Sequence, residues 1–343
     1  MRFAASCNPL STAGRANCIA RLGVVELSPF LRQLRTGKTA GRAGLSIKES
    51  IPMCDELTIA DDDANAATRG LSRRQFAAVS AAGAAAAMAG AQQAIAAGAA
   101  LKENAVAITT PDGQCDAFFV HPATGKHPGI IVWPDIAGSR DAYKVMARRL
   151  ASDGYAVLLV NHYYRTAKAP LLNSLAEWRT PAGGEKLKPA IAAITTPGII
   201  SDAKAFVGWL DKQAAVDTKR KIGSAGYCMT GGYTVRTAAA NPERVTACAS
   251  FHGGGLVGDA ADSPNKLIGA TKAGFLFAIA KNDDARSPGD KDALKAAAAA
   301  AGRPAEVEVY NADHGWCTLD APSYDKGEAD RAYARQLALF AKL

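Results

Sequence analysis

Lys221-Ile222-Gly223-Ser224-Ala225-Gly226-Tyr227-Cys228-Met229-Thr230-Gly231-Gly232 is the stretch on which the reading of this chain turns. A short apolar run leads into a glycine, a cysteine follows, and small residues then open a helix. That order is a nucleophile elbow with cysteine in place of the more usual serine. The strand-to-helix turn is sharp and needs small neighbours, which Gly226 and Gly231 supply. It also sets the sulfur at a helix N-terminus, where unpaired N–H groups and the helix dipole favour a thiolate. A buried structural cysteine at a strand end has a similar local sequence, because free cysteines are commonly buried. The residues further along the chain distinguish the two.

Acyl transfer by such a nucleophile requires an acid and then a histidine later in the chain. Five histidines are present, of which His252 and His314 follow Cys228. His314 stands in Tyr310-Asn311-Ala312-Asp313-His314-Gly315-Trp316-Cys317, after the alternating run Ala305-Glu306-Val307-Glu308-Val309-Tyr310. A loop beyond a last strand is the place for the base. The acid is expected beyond the preceding strand, residues 274–280, at Asp283 with Asp284 as the alternative. A strand-end aspartate is equally a turn former. His252 ends the predicted strand 244–251 and reads either as a substrate-pocket residue or as a hydrogen-bonded structural histidine beneath the glycine turn. His121, His127 and His162 have no metal-like spacing with Asp, Glu or Cys, so no metal is expected.

Gly226-Tyr227-Cys228, the pair Gly231-Gly232, Ser250-Phe251-His252-Gly253-Gly254-Gly255, the Asp283 turn and His314-Gly315-Trp316-Cys317 together resemble the dienelactone hydrolase family, over roughly residues 104–343. The resemblance implies an α/β-hydrolase fold and a Cys-Asp-His triad on Cys228, Asp283 and His314. It implies an oxyanion hole from the backbone N–H groups of Met229 and Ile136, and an acidic residue orienting the resting thiol, a place held by Asp135. The implied activity is hydrolysis of a small ester or lactone, of the carboxymethylenebutenolidase kind, with no organic cofactor. Tyr227 and Trp316 join His252 as substrate-pocket candidates. Two positions depart from the family pattern. Thr230 stands where glycine is usual, and Thr318 where dienelactone-specific enzymes place an arginine for the substrate carboxylate. Arg165, Arg179 and Lys186 are the candidate substitutes, and a weak preference for a free carboxylate is expected.

Around that site the chain alternates apolar strands with helical stretches, which predicts a mainly parallel sheet covered on both faces. Strands are expected at 106–109, 117–120, 130–133, 156–161, 222–226, 245–251, 275–280 and 307–310. Helices are expected at 141–151, 201–210, 234–240, 290–301 and 324–343. Residues 163–196, with Pro170, Pro181 and Pro189, read as a long insertion forming a lid or pocket wall. Residues 101–343 are ample for one buried core.

The first hundred residues differ in kind. Leu71-Ser72-Arg73-Arg74-Gln75-Phe76 is a twin-arginine signature, followed by an alanine-rich apolar run over 77–100. Paired arginines, a mildly apolar core and small residues for cleavage describe a bacterial twin-arginine export signal, so a periplasmic or secreted product and the twin-arginine machinery as a partner are expected. The run is too alanine-rich for a stable membrane anchor. Residues 1–52 carry eight Lys and Arg against Glu26 and Glu49. Met53 reads as the true start, since Lys48-Glu49 can be encoded by a ribosome-binding sequence; a transit-like presequence is the alternative. From 101 onward there are 29 basic and 25 acidic residues, a balance that does not call for nucleic acid. Cys115, Cys228, Cys248 and Cys317 in that region have no disulfide-framework spacing, although a Cys228–Cys317 bond is conceivable. A reading of another class is a thiol redox sensor or binding protein on the same fold with vestigial hydrolysis.

Overall fold

The computed structural model describes residues 60–61, 64, 82–83, 85–90 and 100–343. Residues 1–52, Met53 and the arginine pair Arg73-Arg74 lie outside the described residues. The described part is an eight-stranded sheet in the order β1-β2-β4-β3-β5-β6-β7-β8. Its strands are β1 (Leu101–Thr110), β2 (Gly113–Pro122), β3 (Gly129–Trp133), β4 (Ala156–Val160), β5 (Ile222–Tyr227), β6 (Val245–Phe251), β7 (Gly274–Ala280) and β8 (Ala305–Tyr310). β1 and β2 form an antiparallel hairpin and β2 meets β4 antiparallel; every later pairing is parallel. This is the α/β-hydrolase fold that the alternation of strands and helices predicts.

The strands are apolar throughout because the sheet is covered on both faces, and their two-residue period sorts side chains into two layers. Ile131 and Trp133 of β3, Leu158 and Val160 of β4, and Phe275 and Phe277 of β7 belong to one layer. Their neighbours Ile130, Val132, Val157, Leu159, Leu276 and Ala278 belong to the other. Helices α1 (Asp141–Ser152), α4 (Thr196–Leu210), α5 (Gly231–Ala240), α8 (Asp290–Ala300) and α9 (Lys326–Phe340) lie against these faces.

The insertion over residues 163–196 is partly helical. It contains α2 (Leu175–Trp178) and α3 (Pro181–Ala192). Pro181 starts α3 instead of breaking it: its ring sets a helical φ, and its missing N–H is one that a first turn leaves unpaired anyway. Thr180 caps the same end by accepting the Gly183 N–H at 3.0 Å. α4 begins at Thr196, five residues earlier than the periodicity indicates, because Thr195 caps it by accepting the Gly198 N–H at 3.1 Å.

The chain passes from β3 to β4 on one side and returns to β5 on the other. The carboxyl ends of β3 and β5, paired in register up to Trp133 and Gly226, therefore flank the point where the strand order reverses. In open α/β sheets that crevice is where ligands bind.

Candidate active site

β5 runs straight into Cys228, which sits at φ 57°, a left-handed conformation that non-glycine residues rarely adopt. The chain makes one 3-10 turn, Cys228–Thr230, and enters α5 at Gly231. Two glycines are required here by close approach. A Cβ on Gly226 would lie 2.3 Å from the Thr230 carbonyl oxygen, and one on Gly231 would lie 2.5 Å from Gly253 Cα. Thr230, the departure from the family pattern, is used locally. Its buried hydroxyl accepts the Tyr227 N–H at 3.0 Å and lies 2.9 Å from the carbonyls of Trp133 and Tyr227.

Asp283 and His314, the residues expected as acid and base, lie beyond β7 and β8. Asp283 lies in a short helix, α7 (Lys281–Arg286), instead of an open turn. Its Oδ2 is 2.7 Å from His314 Nδ1, with both side chains almost fully buried. A carboxylate on Nδ1 makes that nitrogen the donor and leaves Nε2 as the acceptor in the neutral ring. Asp284 instead takes Lys291 Nζ at 2.8 Å on both oxygens. Asn282 was not singled out by sequence reasoning, yet its Oδ1 accepts the N–H of Asp283 at 3.1 Å and of His314 at 2.9 Å, tying acid loop to base loop. Its Nδ2 donates to Asp61 Oδ2 at 2.7 Å. Ser323 Oγ donates to the His314 carbonyl at 2.6 Å.

Cys228, His252 and His314 line one cavity together with Asp135, Ile136, Leu175, Trp178, Arg179, Gly315, Pro322 and Ser323. Its free volume is only about 20 Å³, room for a water or two, and Leu175, Trp178 and Arg179 of the insertion form part of its wall. Tyr163 braces its floor: the hydroxyl donates to the Ile136 carbonyl at 2.9 Å and lies 3.5 Å from Met229 Sδ.

Four expectations change on this geometry. Tyr227 and Trp316 are absent from the cavity wall. Tyr227 precedes Cys228 by one residue, so strand alternation turns it to the opposite layer, stacked on Phe251 at 4.9 Å between ring centres. Trp316 is fully buried and stacks on Tyr310 at 5.2 Å. Asp135 does reach the cavity, but its carboxylate is occupied by Arg140, at 2.6 Å on Oδ1 and 2.9 Å on Oδ2, and by the Ala137 N–H at 2.9 Å. The fully buried Arg140 guanidinium also forks onto Asp320 at 2.7 Å twice, and Asp320 accepts the Leu175 N–H of the lid at 3.1 Å. Asp135 is thus the inner end of an ionic strut linking the loop after β3 to the insertion. Finally, Cys317 is a free buried thiol.

Of the three candidate cations, Arg179 alone lines the cavity. Burial pulls its guanidinium down to about 10, still a cation at neutral pH. Arg165 is held by Asp112 and Asp202, and Lys186 is exposed. Thr318 is fully buried, 3.4 Å from the Tyr143 hydroxyl, away from the cavity.

Residues 115–343 match the model of the Dienelactone hydrolase family. The chain belongs to this family. A relative in Methylorubrum extorquens AM1 named "Putative carboxymethylenebutenolidase" is 30% identical over 236 residues, 67% of this chain and 77% of that protein. In fold, the crystal structure titled "Putative Dienelactone Hydrolase" from Klebsiella pneumoniae is similar at a TM-score of 0.62 and 24% identity, covering 71% of this chain and 100% of that one. A dienelactone hydrolase-like promiscuous phosphotriesterase from metagenomic libraries is similar at 0.56 and 23%, covering 71% and 99%. This family member is a hydrolase of the dienelactone hydrolase type. Among the described residues no single helix is long and apolar enough to cross a membrane.

Proposed function

We propose that this protein opens a small ester or lactone by acyl transfer through Cys228, with His314 as base and Asp283 as its orienting acid. One observation carries this reading: a buried Asp283–His314 pair at 2.7 Å faces the same cavity as a cysteine held in a left-handed elbow. His314 Nε2 takes the thiol proton, and the sulfur attacks the substrate carbonyl carbon. The tetrahedral oxyanion is received by the backbone amides of Met229 and Ile136, which flank the nucleophile at the ends of β5 and β3. The imidazolium then protonates the leaving oxygen as the C–O bond breaks, giving the thioester. Water, deprotonated by His314, attacks that thioester, and the thiol is restored. Asp283 keeps the ring in the productive tautomer and offsets its positive charge throughout.

The lid shapes which substrates enter. With about 20 Å³ free, the cavity has to widen before any substrate binds, and Leu175, Trp178 and Arg179 of the insertion are the wall residues it would meet. Leu175 and Trp178 favour an apolar acyl or alcohol part. Arg179 supplies positive charge near the elbow. If it is used for recognition, an anionic lactone is preferred over neutral esters, and Arg179→Gln removes the preference. Comparable turnover of both classes agrees with the weak carboxylate preference expected from Thr318.

The deciding experiment is a panel of lactones and short p-nitrophenyl esters under thiol-reducing conditions, with wild type and Cys228→Ala. Wild-type turnover that disappears in the variant supports the reading, and full activity in the variant moves the chemistry elsewhere. We further propose that the enzyme is exported through its twin-arginine signal. Protein from the native host then begins near residues 98–104, and changing Arg73 and Arg74 to Lys leaves a longer cytoplasmic precursor. An exported form that still starts at Met1 counts against it.

A further inference from the structure

His252 is the first residue beyond β6 and sits at φ 39°, so two non-glycine residues in left-handed conformations, Cys228 and His252, end adjacent strands. The last register pair of those strands is Tyr227 with Phe251, and one residue further the ladder stops. The chain turns out of the sheet at Cys228, and its amide N–H can no longer follow the strand pattern. The acceptor it finds is His252 Nδ1, at 3.1 Å. The Cys228 carbonyl is also held from this segment, by the Gly254 N–H at 3.1 Å. Both backbone polar groups of the cysteine are therefore gripped by one short turn. The closeness of Gly231 and Gly253 allows that turn to lie directly under the elbow.

Accepting at Nδ1 places the ring proton on Nε2 and requires a neutral ring. Burial, with His314 beside it, keeps the ring neutral by holding its pKa well below the ordinary histidine value. His252 is 1% exposed and its Nε2 has no hydrogen-bond partner among the described residues. The ring stands edge-on to His314, 4.6 Å between centres, and to Trp316 at 5.3 Å. One imidazole thus touches the backbone of the cysteine and the ring of the base.

We propose that His252 is a positioning residue that sets the distance and angle between Cys228 and His314. Its Nδ1 stands in for the strand acceptor that the Cys228 amide loses at the elbow, and its ring edge buttresses His314. This rests on Cys228 being the nucleophile, so Cys228→Ala is run beside the test and reports on that assumption separately. The test compares His252→Asn with His252→Phe in the full chain, measuring kcat and KM for one ester, the rate of Cys228 alkylation and the melting curve. Asparagine tolerates a left-handed φ and offers Oδ1 where Nδ1 stood. Phenylalanine keeps the ring volume and offers no acceptor.

The expected result is that His252→Asn stays within about tenfold of wild type in kcat. His252→Phe is expected to fall about 100-fold with KM little changed, the penalty of a misplaced reacting group. A packing role gives the reverse order, since phenylalanine fills the site better. Wild-type kcat in His252→Phe overturns the proposal. So does a 100-fold loss in a His252→Asn variant that melts like wild type, and this second measurement decides the matter should His252→Phe fail to fold.

Discussion

β5 and β6 end side by side, and a cavity opens on each face of the sheet beyond them. On one face Cys228 and His252 look into about 20 Å³ under the lid. On the other, Tyr227 and Phe251, one residue earlier on the same strands, look into about 530 Å³ between α1 and α9, with Gly83, Ala86, Ala87 and Gly90 along one side. Each cavity has its cysteine, Cys228 in the small one and Cys317 in the large. Among the described residues, only the small one has histidines in its wall, and Asp283 holds one of them, His314. The larger cavity has no histidine among the described residues that line it, and burial pushes the Cys317 thiol well above its ordinary pKa, so it stays protonated. Volume marks where a molecule fits; the proposed chemistry follows the loops that carry Asp283 and His314.

The sharpest way to break this comparison is to exchange the roles of the two cysteines. Cys228→Ala is expected to lower kcat for esters by about 10⁴-fold, the scale of losing a nucleophile from a working triad. Cys317→Ala is expected to stay within about twofold. Iodoacetamide near neutral pH, after reduction, should label Cys228 ahead of Cys317, Cys115 and Cys248, whose thiols burial holds protonated. Peptide mapping of the labelled protein checks the order, and preferential labelling of Cys317 ends the argument.

The ionic groups of the two sides differ in the same sense. Arg140, fully buried between Asp135 and Asp320, belongs to the site side; Arg149 reaches Asp330 at the rim of the larger cavity, with both side chains 37% exposed. Arg140→Met leaves two buried carboxylates facing each other and is expected to cost about 3–5 kcal/mol. Arg149→Met is expected to cost under about 1 kcal/mol, because the pair is screened by water. Urea unfolding of both variants measures the gap.

Within the acid loop, Asp283→Asn should lower kcat by about 100-fold or more by losing the tautomer it imposes on His314. Asp284→Asn, which only releases Lys291, should be silent within about twofold. Equal effects from the two would show that the 2.7 Å bond has no special part in the reaction.

The smallest effect expected at neutral pH concerns His162, on the site face with both ring nitrogens unpartnered, its pKa pulled down to about 3 by burial. The unfolded chain binds this proton near the ordinary value of about 6.5. The stability contributed by the neutral buried ring is therefore complete above that pH and is lost as pH falls from about 6.5 toward 3. His162→Phe should leave stability near pH 7.5 almost unchanged and shift the acid-unfolding midpoint downward. An unshifted midpoint would mean that water reaches the ring.

Much of this was legible in the amino-acid order. Strand alternation around the glycines of the elbow, and a histidine on the loop after a last alternating run, are local features that any fold of this chain has to respect. They determined the sheet and the order of Cys228, Asp283 and His314 along the chain. The helices of the insertion were not legible in the same way, since Pro181 at a first helical turn looks the same in sequence as a proline that prevents a helix.

What the tertiary structure decided are the choices between chemically equal neighbours. Asp283 and Asp284 are identical side chains one residue apart, and only the phase of α7 turns one to His314 and the other to Lys291. Tyr227 and Cys228 are separated by the same single step, and the pleat sends one to each face of the sheet. Asp135 met a buried arginine whose second partner, Asp320, lies 185 residues further along the chain. His252 found the Cys228 amide 24 residues back, across the gap where two strands end. Local sequence sets which residues are available for chemistry. Partners far apart in the chain are chosen by packing, because a buried charge or amide has to be met by whatever group the fold brings to it.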